Sequence, residues 1–279
     1  MRPATLSIIL LLFTFCSLAQ SQQTAEEFFK RGNVALDSGN NDSAIADYTE
    51  AIRLRPEGWG AFNNRGKAHF KKGDYQAAIA DQTEALRIRP DYAGAFYERG
   101  LVYLKLKRYA DALNDCRAAV KFQPAFADAL LVCGISLHEK KELPAALVDF
   151  DKAVAFAPRN ANAFGGRGDV LLDMGNYSAA AESYTRCIEL DPKLRRAQYQ
   201  RGWSNYNLGK YALAIVDYST AIRLDPTDET MFYYRALSYK ELKRRPEAIA
   251  DLRKALRLDP TFVDAKTELA ALTRVKKRR

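Results

Sequence analysis

Side chains able to do chemistry are few in this chain, and they stand apart. Its 279 residues hold two histidines, His69 and His138, each isolated in its own helical stretch with no Cys/His spacing that builds a metal site. So few histidines leave no credible Ser/His/Asp set, and no phosphate-cradling glycine loop follows a strand. The Asp and Glu residues recur with a period, as surface and packing positions do, and not as a catalytic pair. The residues therefore point to no enzyme, no metal and no cofactor. What recurs is pairing chemistry. Arginine stands at 31, 65, 99, 167, 201 and 235, with Cys133 as the exception, and aspartate at 47, 81, 115, 149, 217 and 251, with Ser183 as the exception. Guanidinium and carboxylate make charge-assisted, often bidentate pairs, so these columns predict an Arg–Asp ladder tying first helices to second helices.

The elements that must carry the ladder are written in a 34-residue template, Trp59 to Tyr92. Small residues sit where two helices touch, at Gly66, Ala78 and Ala85, and Pro90 closes the stretch. Gly66 is echoed by Gly32, Gly100, Gly134, Gly168 and Gly202 and by Ala236; Pro90 by Pro56, Pro124, Pro158, Pro192, Pro226 and Pro260. Apolar and small residues fall at helical spacing in both halves, with a turn between them at Gly39, Gly73, Gly175 and Gly209, or at Lys107, Lys141 and Lys243. Pro144 and Pro246 fall in the first turn of a second helix, where proline is tolerated. The reading is all-α: seven helix–turn–helix repeats (25–58, 59–92, 93–126, 127–160, 161–194, 195–228, 229–262) whose apolar faces are buried only by stacking. Residues 263–279 form a capping helix and a basic tail.

A formal charge of +9 and a pI near 9.3 would suit nucleic acid or anionic lipid, but Arg, Lys, Asp and Glu are interspersed as on a solvated helical surface. Nucleic acid is not expected as a partner. Residues 1–19 have the layout of a secretory signal peptide: Arg2, the apolar run Leu6 to Phe15, and a small-residue exit at Ser17-Leu18-Ala19. Residues 20–24 are a polar linker. The apolar run is short for a membrane span; a lipoprotein acceptor at Cys16 and an uncleaved anchor are the alternatives. The mature chain is expected to be exported, to a periplasm or to the exterior, with membrane contact only through signal or tail. Cys116, Cys133 and Cys187 would remain, in slots that favour packed thiols, with a Cys116–Cys133 bridge as the alternative in an oxidising compartment.

The Gly, Ala and Pro columns, with Tyr75, Tyr109, Tyr177 and Tyr211 opening second helices, resemble the tetratricopeptide repeat family over residues 25–262. Phe28, Phe62, Phe96, Phe164 and Phe232 stand in the family's tryptophan slot. The resemblance implies an α-solenoid, a right-handed superhelix whose concave face of first helices grips an extended peptide or a partner helix. In that geometry Asn33, Asn64, Lys67, Tyr97, Leu101, Tyr199, Trp203, Tyr206 and Tyr233 face inward as partner-binding candidates. Phe29, Asn63, Phe70 and Leu104 share those slots. Large aromatics bordered by polar groups are what a peptide hot spot needs, and packing between helices is the competing role. Gly165-Gly166 strips side chains from the same face, leaving a pocket or a soft helix. The carboxylate clamp of chaperone-tail adaptors is not supported: Asn33 and Asn64 match its asparagines, but Phe29, Gly94 and Glu98 occupy its cation slots. The expected function is a non-catalytic protein–protein interaction scaffold; a co-chaperone or assembly factor of the cell envelope is the alternative.

Overall fold

The computed structural model describes residues 24–274, which contain fifteen α-helices and no strand. The signal-peptide stretch, Cys16 and the tail beyond Arg274 lie outside the described residues. In chain order the helices are α1 Ala25–Asp37, α2 Asn41–Leu54, α3 Trp59–Lys72, α4 Tyr75–Ile88 and α5 Ala93–Lys105. They continue with α6 Tyr109–Phe122, α7 Ala127–Glu139, α8 Leu143–Phe156, α9 Ala161–Asp173 and α10 Tyr177–Leu190. The last five are α11 Arg195–Asn207, α12 Tyr211–Leu224, α13 Glu229–Glu241, α14 Arg245–Leu258 and α15 Val263–Thr273. They group into two compact units, α1–α5 and α6–α15, divided between Leu106 and Lys107.

Helix starts follow from local side chains. Thr24 accepts from the Glu27 amide at 3.2 Å while Glu27 accepts from the Thr24 amide at 2.8 Å, a reciprocal cap. Asn40, Asp74, Asn160 and Asn176 each accept from the amide three residues on. Pro144 and Pro246 occupy first turns, as expected. The turns between paired helices need a left-handed residue. Glycine supplies it at 39, 73, 175 and 209, and lysine takes the same conformation at 107, 141 and 243, with φ of 57°, 65° and 60°.

The glycine column exists because a ring or amide lies against it. A Cβ on Gly32, Gly134 or Gly168 would fall within 3.0 Å of the ring of Tyr48, Phe150 or Tyr184, and one on Gly66 would fall 2.7 Å from Gln82 Nε2. Those four side chains come from the second helix of the same hairpin, and the neighbouring Ala44, Ala78, Ala146 and Ala180 are fully buried. Each of these four hairpins thus closes by setting one large buried side chain into the space a missing Cβ leaves.

The predicted ladder forms within each unit. Arg31 donates from Nε to Asp47 at 2.8 Å, Arg65 to Asp81 at 2.7 Å, Arg201 to Asp217 at 2.6 Å and Arg235 to Asp251 at 2.7 Å. These four aspartates are all buried. Phenylalanine in the tryptophan slot underlies the arginine, as where Arg31 lies 4.9 Å over Phe28 and Arg65 5.6 Å over Phe62. The same arginines reach back to the preceding second helix: Arg65 donates to Thr49 at 3.0 Å, Arg201 to Thr185 at 3.2 Å and Arg235 to Ser219 at 2.9 Å. Each of these three rungs therefore joins three helices.

Where a rung loses a member, the reach-back position supplies the missing charge. Ser183 replaces an aspartate, and Arg167 takes Asp151 at 2.6 Å alongside Ser183 at 2.7 Å. Cys133 replaces an arginine, and the buried Asp149 is neutralised by Arg117, whose Nη1 donates to Oδ1 at 2.9 Å. Cys133 itself is bonded to Cys116 with a Cα–Cα separation of 5.6 Å. The packed-thiol expectation is corrected for this pair: α6 and α7 bring the two Cβ atoms into bridging range where the arginine's reach-back contact would otherwise lie. Cys187 is a free, buried thiol, as expected, and its burial pushes the pKa up to about 11.

Candidate functional site

The first-helix faces were expected to carry the contacts, and within each unit their candidate residues are held differently. In α1–α5 the face is polar and self-satisfied. Asn64 donates to Asn33 at 2.9 Å, Tyr48 donates to the same Asn33 oxygen at 2.8 Å, and Asn63 donates to Asn64 at 2.9 Å. Lys67 pairs with Glu98 at 3.1 Å. Burial pushes the Tyr48 hydroxyl up to about 12, so it remains a donor. Asn33 and Asn64 are thus joined to each other by an amide bond network that links α1 to α3. Tyr97 and Leu101 lie half-buried on α5.

In α6–α15 the face is aromatic. Trp203 stacks nearly parallel on Tyr206, with centroids 5.8 Å apart and planes at 9°, and meets Tyr234 edge-on at 5.1 Å. Tyr199 lies 5.8 Å from Tyr234; Tyr233 lies 5.2 Å from Tyr234 and 4.9 Å from Phe262. The structure therefore brings Tyr199, Trp203, Tyr206 and Tyr233 together, all half-buried. It adds Tyr234, which sequence reasoning passed over; its adjacency to Tyr233 was the available signal. Burial, then Glu241, raises the Tyr206 pKa, and burial, then Asp264 and Glu268, raises that of Tyr233, so the patch has an acidic border.

Beneath the patch is Tyr218, fully buried, whose hydroxyl has no hydrogen-bond partner among the described residues. The reason is positional. Tyr48 and Tyr184 find acceptors fifteen residues upstream, in Asn33 and Asp169. The same step from Tyr218 lands on Trp203, which has no acceptor. A hydrogen bond is given up where an indole is placed on the surface.

Gly165-Gly166 borders a cavity of about 390 Å³ on the α7, α9 and α11 face, so of the two expectations the pocket is the one found. Leu131, Ile135, Phe150 and Leu194 supply apolar wall. Asp169 supplies a carboxylate that accepts from the Tyr184 hydroxyl at 2.8 Å and pairs with Arg196 at 3.0 Å. Burial raises the Asp169 pKa, against the lowering effect of Arg196, Tyr184 and His138. His138 lies 2.9 Å from Asp173 at the same rim, a surface pairing. Asp169 and Arg196 were not anticipated; the fifteen-residue step shared with Asn33 and Tyr48 was the signal. A further cavity of about 430 Å³ in the first unit is lined by Phe29, Trp59 and Gly60. Among the described residues no group of three or more His, Cys, Asp and Glu could hold a metal ion. No described helix is long and apolar enough to cross a membrane.

The architecture has many relatives. The C-terminal part of a TPR repeat-containing protein from Cytophaga hutchinsonii superposes with a TM-score of 0.68 at 20% identity, over 86% of this chain and 99% of that one. A tetratricopeptide repeat protein from Parabacteroides merdae matches with a TM-score of 0.61 at 21% identity, covering 90% and 99%. MamA from Desulfovibrio magneticus RS-1 matches with a TM-score of 0.55 at 26% identity, covering 61% and 96%. No curated protein matches the chain by sequence. Sequence models described as tetratricopeptide repeat match residues 29–93, 95–161 and 166–229, and a further one matches 231–262. With helix pairs, small-residue columns and closing prolines in phase across those stretches, the chain belongs to the tetratricopeptide repeat family.

Proposed function

We propose that this chain is a non-catalytic interaction scaffold that holds an extended peptide or a partner protein against its first helices, and that it works outside the cytoplasm once residues 1–19 are removed. The observation that carries the reading is the aromatic patch of Tyr199, Trp203, Tyr206, Tyr233 and Tyr234. Packing alone does not account for it, because Tyr218 beneath forgoes a hydrogen bond that its counterparts make. Leaving a buried hydroxyl unpaired costs about 1–3 kcal/mol, and a half-exposed indole ringed by tyrosines is the kind of anchor that dominates peptide and protein contacts. The Cys116–Cys133 bridge supports an oxidising compartment.

The test is a photo-crosslinking residue at position 203 in living cells, followed by mass spectrometry and by Trp203→Ala in pull-downs. One or a few partners, lost with Trp203→Ala, are expected. Recovery of every partner by Trp203→Ala would overturn the assignment of the patch. A crowd of unfolded clients would instead indicate an envelope co-chaperone or assembly factor.

A further inference from the structure

We propose that the cavity beside Gly165-Gly166 is a subsite for a lysine or arginine side chain of the bound segment, with Asp169 and Glu139 receiving its cationic head. The inference rests on the scaffold reading above and adds the chemical class of one residue in the partner.

The two glycines have different reasons to be there. A Cβ on Gly166 would fall 2.3 Å from the Phe150 ring, so the packing of α8 on α9 demands glycine at that position. No such demand exists at Gly165. A Cβ there would meet only Cys187 Sγ, at 3.5 Å, an ordinary contact. The missing side chain at 165 leaves the space between α7 and α11 open, and packing does not require it. The walls match a long cationic side chain: Leu131, Ile135, Phe150 and Leu194 suit a methylene stem, and a carboxylate stands at the polar end.

The charges match as well. Asp169 is 17% exposed, and its Oδ1 is held by the buried Tyr184 hydroxyl. Its Oδ2 is met by Arg196, a side chain 71% exposed that approaches from outside. Such a partner is readily displaced into water, because an exposed ion pair is worth little. Glu139 and His138 lie on the same lining, and Asp173 pairs with His138 at 2.9 Å and with Lys141 at 3.5 Å. The lining thus sets two carboxylates, Asp169 and Glu139, against one cation, Arg196, and one imidazole, His138, and an entering ammonium or guanidinium keeps Asp169 paired after Arg196 leaves. Carboxylate, anionic phosphate or purely apolar side chains would strand or oppose that buried charge.

The probe is a positional-scanning array of acetylated octapeptides, incubated with the full mature chain with its disulfide intact. Bound peptides are expected to show a lysine or arginine preference at one position. Asp169→Asn retains the Tyr184 bond but removes the charge, and should weaken the best lysine peptide by about tenfold to a hundredfold, the loss of one charged hydrogen bond. Gly165→Val should do the same by filling the space, its Cβ meeting only an ordinary contact, with a melt to check that the fold is kept; if that variant does not fold, Asp169→Asn still decides. Array binding without a cation preference, or a preference that survives Asp169→Asn, overturns the subsite and leaves the scaffold reading standing. No peptide bound by the parent chain at all overturns both.

Discussion

The ladder makes a quantitative demand on Arg201 and Asp217. Asp217 is 3% exposed, and its Oδ1 accepts from Arg201 at 3.0 and 2.6 Å while Oδ2 accepts from Asn205 at 2.9 Å. Arg201→Met removes the cation and both of those donors, stranding a buried carboxylate on one neutral amide. Removing one partner of a buried pair costs about 3–5 kcal/mol. Arg201 is 22% exposed and water can follow into part of its space, so the lower end, about 3 kcal/mol, is expected. Asp217→Asn keeps the shape and leaves a guanidinium that still has Thr185, at 3.2 Å, and solvent; its cost is about 1–2 kcal/mol. The double variant should fall short of the summed losses by about 1–2 kcal/mol, as groups in direct contact do. Arg31→Met is the graded comparison: it too uncovers a buried carboxylate, but Arg31 is 53% exposed, so water can take its place beside Asp47 and the loss should be smaller. Urea melts followed by circular dichroism supply the energies. Hydrogen exchange over α11 and α12 shows whether the loss is local, as nearest-neighbour stability in a repeat array requires. Additive single losses, or equal losses for Arg31→Met and Arg201→Met, would refute the claim that burial gives the ladder its strength.

Two more outcomes follow from the packing. Reduction of Cys116–Cys133 opens a loop with a sequence separation of 17 and should cost about 3 kcal/mol; a thermal melt unmoved by reductant would show that the bridge contributes nothing. Tyr48 is fully buried with its pKa raised to about 12 from 10, so folding favours its neutral form. Its contribution is fully present below pH 10 and declines as the unfolded phenol ionises first, with about 2 kcal/mol lost by pH 12. Stability measured from pH 9 to 12 should fall, with a shallower slope in Tyr48→Phe; an identical slope would place the alkaline loss elsewhere.

Much of the fold was legible because a repeat array buries its faces between neighbours at a constant offset. Gly32, Gly168 and their column sit in phase with Tyr48, Tyr184 and theirs, so a one-dimensional period encodes contacts that most folds scatter. The arginine and aspartate columns could be paired before any coordinate was known for the same reason. The site was harder to see. Tyr199, Trp203, Tyr206 and Tyr233 are candidates from spacing and family geometry, and the structure gathers them into one aromatic cluster, whereas the contacts of Tyr234 and Asp169 depend on which way a side chain turns, which spacing alone does not fix.

The repeat phase, the helix ends and turns, and the regular rungs were determined by the sequence alone, since each depends on residues in one hairpin or the next. Tertiary structure decided what happens where the period breaks. Arg117 reaches Asp149 across 32 residues because Cys133 vacates an arginine position, and Cys133 then meets Cys116. Gly166 answers to Phe150, while Gly165 borders an open cavity with only an ordinary contact to Cys187 in reach of a Cβ. Such choices turn on ångström-scale free space between helices, and a period of 34 residues carries no record of the space left over.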